Sequence, residues 1–197
     1  MQQTVVITHK MKISVVIPHY PYNEEINTKL KRCVNSLVGA YEILIIVNDK
    51  IGFAKAVNCG LKIASGDYIC VVNNDLYIQE GLLEYIAKPE GVCSPSVNGV
   101  VQEFYGGFFC MPRWVYEGVG DFDERFEIGY YEDNDYFERI KQLNIPFLQD
   151  AKLKVVGDTS STMKLFDRDK ISSDNLKKFI DKWGRKPSNI QLFKNNN

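Results

Sequence analysis

The sequence predicts an α/β fold: one domain whose central sheet is mostly parallel and flanked by helices, with a small antiparallel portion in its second half. Three observations lead there. Short apolar, β-branched runs at residues 13–17, 41–47 and 68–72 are too brief for helices and read as buried strands. Helical patterns separate them, giving a β-α-β-α-β series with right-handed crossovers expected. Each run also ends in polar or turn-forming residues: Pro18-His19-Tyr20, Asn48-Asp49 and Asn73-Asn74-Asp75. Open parallel sheets collect ligands at the carboxyl ends of their strands. Chemistry is therefore expected at the end of the stretch from Gly66 to Asp75, where a polar triplet closing on a carboxylate suits a divalent cation or a sugar hydroxyl.

Bulk properties narrow the class. A chain of 197 residues, 45% hydrophobic and 25% charged, has the size and composition of one soluble domain with a real core. Its 24 basic and 25 acidic side chains nearly cancel, so no global field favours nucleic acid or an anionic membrane. No apolar run approaches the ~20 residues of a membrane span, and the first residues lack the apolar run of a secretory signal. The five cysteines, Cys33, Cys59, Cys70, Cys93 and Cys110, are odd in number and lack metal-ligand spacing. They read as buried free thiols of a reducing compartment, so a cytoplasmic protein is expected.

In chain order, residues 1–11 form an N-terminal extension or an extra strand, with a β-like run at residues 4–8. The main domain covers residues 12–186. Asn23 is a plausible N-cap with Glu24 and Glu25 in the first turn, and Ile26, Leu30, Val34 and Leu37 carry the helix to about Val38. Gly52 opens a second helix whose apolar face is Phe53, Ala56, Val57, Gly60, Leu61 and Ala64. A short helix at residues 80–87 ends the first half, residues 12–88. In the second half, residues 89–172, short strands occupy 91–104 and an apolar segment 108–111. A brief helix follows Pro112, a polar loop spans 121–124, a helix runs from Glu132 to Leu143, and strands cover 147–149 and 152–156. A basic amphipathic helix at 173–186 and a tail at 187–197 complete the chain.

Six of these segments, in order, resemble the inverting nucleotide-sugar glycosyltransferases of family 2. They are Val16-Ile17-Pro18-His19-Tyr20; the stretch from Gly52-Phe53-Ala54 to Gly60; Gly66-Asp67-Tyr68 through Asp75; Gly120-Asp121-Phe122-Asp123-Glu124; Glu132-Asp133-Asn134-Asp135; and Lys182-Trp183-Gly184. The last is similar to a motif of rhamnosyl- and galactofuranosyl-type members. The resemblance implies a GT-A, Rossmann-like domain in a compact variant. Two departures stand out. Asp49 and Gly52 are nearly adjacent where the family has a helix and a strand between them. His9 and His19 are the only histidines, so the family's late histidine ligand is missing and Asp158 stands in that region.

The resemblance implies transfer of a sugar from a UDP- or dTDP-linked donor to a hydroxyl of a glycan or lipid-linked acceptor, assisted by Mn²⁺ or Mg²⁺. Asp75 is then the metal ligand, Asp158 its complement, and Asp133 the general base. Asn73 and Asn74 hydrogen-bond the ribose or donor sugar, Pro18 and Tyr20 line the nucleotide pocket, and Glu132 lies on the acceptor side. Five readings stay open. Asp49 is a base-contacting carboxylate or a turn residue. Lys55 reaches the diphosphate or faces water. Gly107 lets backbone approach a ligand or makes a tight turn. Trp114 stacks on an acceptor sugar or packs a core. The basic C-terminal helix offers a peripheral membrane contact or a solvated face. The rival functions are a nucleotidyltransferase and a nucleotide-sugar-binding module with little or no turnover.

Overall fold

The structure is a computed structural model that describes residues 11–99, 104–157 and 162–188. Residues 1–10 of the N-terminal extension, Asp158 and most of the tail lie outside the described residues.

Strand β1 (Ile13–His19) is buried along its whole length because it lies between β2 (Glu42–Val47) and β3 (Tyr68–Val72), parallel to both. Helix α1 (Glu24–Ser36) starts where expected: Asn23 Oδ1 accepts from the Ile26 amide at 2.9 Å. Helix α2 (Phe53–Ile63) then crosses to β3. A two-residue strand β4 (Leu76–Tyr77) and the short helix α3 (Leu82–Ile86) lead to β5 (Val92–Val97). After β6 (Phe108–Pro112) come α4 (Arg113–Val119), α5 (Glu132–Gln142), β7 (Phe147–Gly157) and α6 (Arg168–Trp183).

Among the described residues the sheet order is β2-β1-β3-β6-β5-β7-β4. The domain is α/β as expected, and its antiparallel portion is larger than the sequence suggests. Strand β6 leaves the turn at Gly106-Gly107, beside the carboxyl end of β3, so it must run back antiparallel to β3 and then to β5. The two strands expected at 147–149 and 152–156 are one, β7, whose register against β5 jumps between Pro95 and Ser96. A proline lacks the ladder N–H, so an irregularity is at home there. Strand β4 carries no sequence signal. Its pairing of Leu76 with Gly157 brings the end of β7 beside the triplet. Helix α6 begins earlier than expected because Asp167 caps it, accepting from the Lys170 amide at 3.1 Å.

The pleat divides the core between the two faces of the sheet. Ile13, Val15, Ile17, Cys70, Val72 and Cys110 join Cys33 of α1 on one face. Val16, Ile69, Val71, Phe109 and Met111 meet Val57 and Leu61 of α2 and Tyr136 of α5 on the other. All five cysteines are free; four are buried, but Cys59 is exposed on α2, against the expectation. No helix among the described residues is long and apolar enough to cross a membrane.

Candidate active site

A cleft opens at the carboxyl ends of β1 and β3, with a cavity volume of ≈ 160 Å³. Its floor is the triplet. Where β3 stops, the Asn73 amide donates to Gly107 O at 2.7 Å, and Cys33 Sγ of α1 donates to Asn73 O at 3.6 Å. Asn74 and Asp75 are nearly buried, 6% and 4% exposed. Asn74 Nδ2 donates to His19 Nδ1 at 2.8 Å, and His19 Nε2 donates to Asn27 Oδ1 at 3.1 Å. An amide nitrogen only donates, so this pattern requires the neutral ring with its hydrogen on Nε2. Burial agrees, pushing the His19 pKa down against the opposing effect of the Asn27 bond.

The opposite wall is the start of α5. Asp133 Oδ1 accepts from the Asn134 amide at 2.8 Å, and the Gly106 amide also donates to the Asp133 carboxylate. Gly106 has to be glycine: an added Cβ would stand 2.6 Å from Asp133 Cβ. Burial pushes the Asp133 pKa up, and the backbone N–H groups oppose it. Glu132 is pushed well above the carboxylate range by its own burial and by the charge of Asp133, and its Oε2 has no partner among the described residues. Burial thus disfavours two charges side by side, and the charge of Asp133 adds to the upward push on Glu132. Asp135, fully buried, turns away toward Arg139 and α6.

A third wall is the loop before α5. Ile128, Tyr130 and Tyr131 take φ values of 66°, 73° and 70°, a left-handed region that costs non-glycine residues energy. The loop is fastened from behind. Asn175 Nδ2, on α6, donates to the carbonyls of Glu127, Gly129 and Tyr130 at 3.0, 2.8 and 3.3 Å. The Phe53 amide donates to Ile128 O at 2.9 Å, and at Gly52 (φ 91°) a Cβ would meet Ile128 N at 3.0 Å. Farther along α2, buried Asn58 grips Phe122 by both backbone groups: Nδ2 to O at 2.9 Å, and N to Oδ1 at 2.8 Å. The ordered sequence segments are thus joined in space as one frame.

A model of glycosyl transferase family 2 matches residues 42–174, well over half of the chain. The chain belongs to this family. Solved structures share its fold at low identity. The catalytic domain of Drosophila β1,4-galactosyltransferase 7, in complex with xylobiose, is 19% identical with a TM-score of 0.58, over 71% of this chain and 64% of that one. GalNAc-T7, with UDP, GalNAc and Mn²⁺, is 13% identical with a TM-score of 0.61, over 75% and 43%. Glucosyl-3-phosphoglycerate synthase from Mycobacterium tuberculosis, in complex with Mg²⁺ and UDP, is 11% identical with a TM-score of 0.60, over 90% and 81%. The chain thus spans 64% and 43% of the length of the first two. No curated protein matches it in sequence.

Within this family 2 domain the cleft brings together Pro18, Tyr20, Asn73, Asn74, Asp75 and Gly107 with Glu132 and Asp133. Three other residues singled out in the sequence do not line it. Asp49 and Lys55 are exposed, and Trp114 is 46% exposed with its indole donating to Pro89 O at 3.2 Å. Asn48 takes the place expected of Asp49. It lines the cleft, donates from Nδ2 to Gly52 O at 3.3 Å, and keeps Oδ1 buried. Tyr105 and Met163 also line it without having been singled out, and Tyr130 and Tyr131 line it close in sequence to Asp133. For Tyr105 the sequence held a usable signal, its place just before Gly106-Gly107. Some basic residues in and just after α6 bond back to the domain, Lys178 to Arg125 O, Lys182 to Asp123 and Arg185 to Glu138, while Lys177 is exposed beside Asp174.

The charge of the cleft is one-sided. Asp75, Glu132 and Asp133 line it, and not one basic side chain does so among the described residues. No cluster of three metal-ligating side chains exists among those residues. An oxygen-donor set with a single nearby carboxylate fits a hard cation that shares its shell with a ligand's phosphates, and does not fit a cage of protein ligands.

Proposed function

We propose that this family 2 member transfers a sugar, with inversion, from a UDP- or dTDP-linked donor to a hydroxyl of a glycan or lipid-linked acceptor. The observation that carries the reading is that Asp75 and Asp133 face one cleft, linked by Tyr105-Gly106-Gly107. Asn73 donates to Gly107 O on one side of that link, and Asp133 accepts from Gly106 on the other.

Asp75 holds Mn²⁺ or Mg²⁺ together with the donor's diphosphate. A lining with acids and no bases cannot balance a diphosphate by itself, and a bound cation supplies that charge and polarises the leaving oxygen. Asp158 is the second carboxylate of this reading; its support is that Gly157 pairs with Leu76, next after Asp75. Asp133, anionic within its pair, accepts the acceptor's hydroxyl proton. The acceptor oxygen then bonds to the anomeric carbon as the bond from that carbon to the diphosphate breaks. The electron pair leaves with the nucleoside diphosphate, and no covalent sugar–protein intermediate forms. Glu132, protonated, offers the acceptor a hydrogen bond without placing a second charge beside Asp133.

Incubation with UDP- and dTDP-sugars, acceptors and Mn²⁺ tests this by release of nucleoside diphosphate. Asp133→Asn is expected to abolish release while donor binding stays within a few fold. Binding without release from any donor–acceptor pair would favour a binding module instead. Release that survives chelation of the divalent cation would remove the metal from the reading.

A further inference from the structure

The Asn73-Asn74-Asp75 triplet carries one charge, yet the proposed function asks it to help hold a cation against a diphosphate. An asparagine serves there only if its oxygen faces the cleft, because an amide N–H₂ turned toward a cation repels it. Left to itself, the amide is free to present either end. Here it is not free. Asn74 Nδ2 is held by His19 Nδ1 at 2.8 Å, and the ring is held in turn by Asn27 of α1 through Nε2 at 3.1 Å. His19 is 4% exposed and caps β1, so it has little room to turn. The nitrogen end of Asn74 is therefore occupied, and Oδ1, the other arm of the same planar amide, is the end left to the cleft that Asn74 lines.

We infer that His19 is a positioning residue: by fixing the amide of Asn74 it presents a second protein oxygen beside Asp75 for a cation-bound diphosphate. The inference rests on the reading given under Proposed function. It explains how a triplet poor in carboxylates serves, with a neutral relay from α1 doing the work of orientation. A second shell of this kind is known to matter energetically, because a ligand that must first be turned binds less well than one already aimed.

Two replacements separate orientation from mere packing. Asn at position 19 puts an acceptor oxygen near the place of Nδ1 and can still hold Asn74. Gln reaches farther, toward Asn27, and fills the space without holding Asn74. Mn²⁺ affinity in the presence of saturating UDP, read from the EPR signal of free Mn²⁺, is measured for wild type, His19→Asn, His19→Gln, Asn74→Ala and the His19→Gln/Asn74→Ala double variant. A thermal melt of each reports that it is folded. His19→Gln and Asn74→Ala are each expected to weaken Mn²⁺ by about 10-fold, the low end for loss of an orienting partner. His19→Asn is expected to stay within about 3-fold, and the double variant to be no weaker than Asn74→Ala, as for two residues acting through one interaction. Wild-type affinity in His19→Gln, or additive losses in the double variant, would overturn the inference while leaving the proposed function standing. A wild-type protein that binds neither UDP nor Mn²⁺ would overturn both.

Discussion

The indole of Trp183 donates from Nε1 to Oδ1 of Asp135 at 2.9 Å, tying the last turn of α6 to the first turn of α5. Lys182 bridges the same carboxylate to Asp123, and Arg139 binds its other oxygen at 3.1 Å. Asp135 therefore keeps a buried charge satisfied two residues from Asp133. Trp183→Phe keeps an aromatic ring, though a smaller one, and removes the donor. It is expected to lower stability by about 1–3 kcal/mol, the range for a buried group deprived of a partner. Denaturant unfolding checks this; an unchanged midpoint would show the bond to be dispensable.

The carboxyl pair sets an expectation for pH. In the proposed reaction Asp133 works as an anion, and burial raises its pKa, so activity is expected to be lost as pH falls through a value above the ordinary aspartate range near ~3.9. In the same reading Glu132, pushed up by burial and by the charge of Asp133, carries its proton there. Glu132→Gln is thus expected to leave the acid limb of kcat/KM in place while changing KM for the acceptor. A limb that moves by more than about one pH unit, a large change by the standard of ~1.4 kcal/mol per unit, would show that the proton sits elsewhere.

Asp123 works in the opposite direction. Arg125, at 2.6 Å, and Lys182, at 2.8 Å, hold its pKa well below the usual carboxylate range. A depressed carboxylate adds stability above its unfolded pKa and loses it as pH falls through the folded one. Much of Arg125 is in water, so the contribution is discounted to about 1 kcal/mol. Asp123→Asn should therefore be less stable than wild type near neutrality, and the gap should close below about pH 4. A gap that is constant with pH would assign the loss to packing.

Gly106→Ala tests the close approach between β6's leading turn and α5. The added methyl meets Asp133 Cβ at 2.6 Å, so one of the two must move. A displacement on the order of 1 Å is expected to lower kcat by about 100-fold. UDP binding should be kept, because the clash lies on the far side of the link from Asn73. Loss of UDP affinity with unchanged kcat would contradict this arrangement.

The legible parts of the fold are those where local chemistry agrees with tertiary contact. Asn23 announces α1, and the uninterrupted apolar run of β1 reports its burial between two strands. The split in β7 and the two residues of β4 depend on partners distant in sequence, so no local pattern marks them. The site divides in the same way. Asn73-Asn74-Asp75 and Glu132-Asp133 are visible as polar groups at the ends of elements. His19 reads in sequence as part of a strand-end turn, yet it touches Asn74, 55 positions away. Asn48 stands next to the more conspicuous carboxylate of Asp49. The shape of the third wall has no local signal because the left-handed positions are Ile128, Tyr130 and Tyr131, not the Gly129 among them. Their conformation is held by Asn175, more than forty residues on.

That fastening gives the cleft a history during synthesis. A chain leaving the ribosome exposes its N-terminal elements first, so β1, α1 and β3 can assemble the triplet while the C-terminal helix is still unmade. Asp133 emerges next, at the start of α5, just after a loop whose strained backbone has not yet met Asn175. Only with the arrival of α6 do Asn175, Lys182 and Trp183 close the frame behind it. The wall that carries the Asn73-Asn74-Asp75 triplet is thus an early product of translation and the wall that carries Asp133 a late one. A nascent chain released before α6 would carry the first without a seated version of the second.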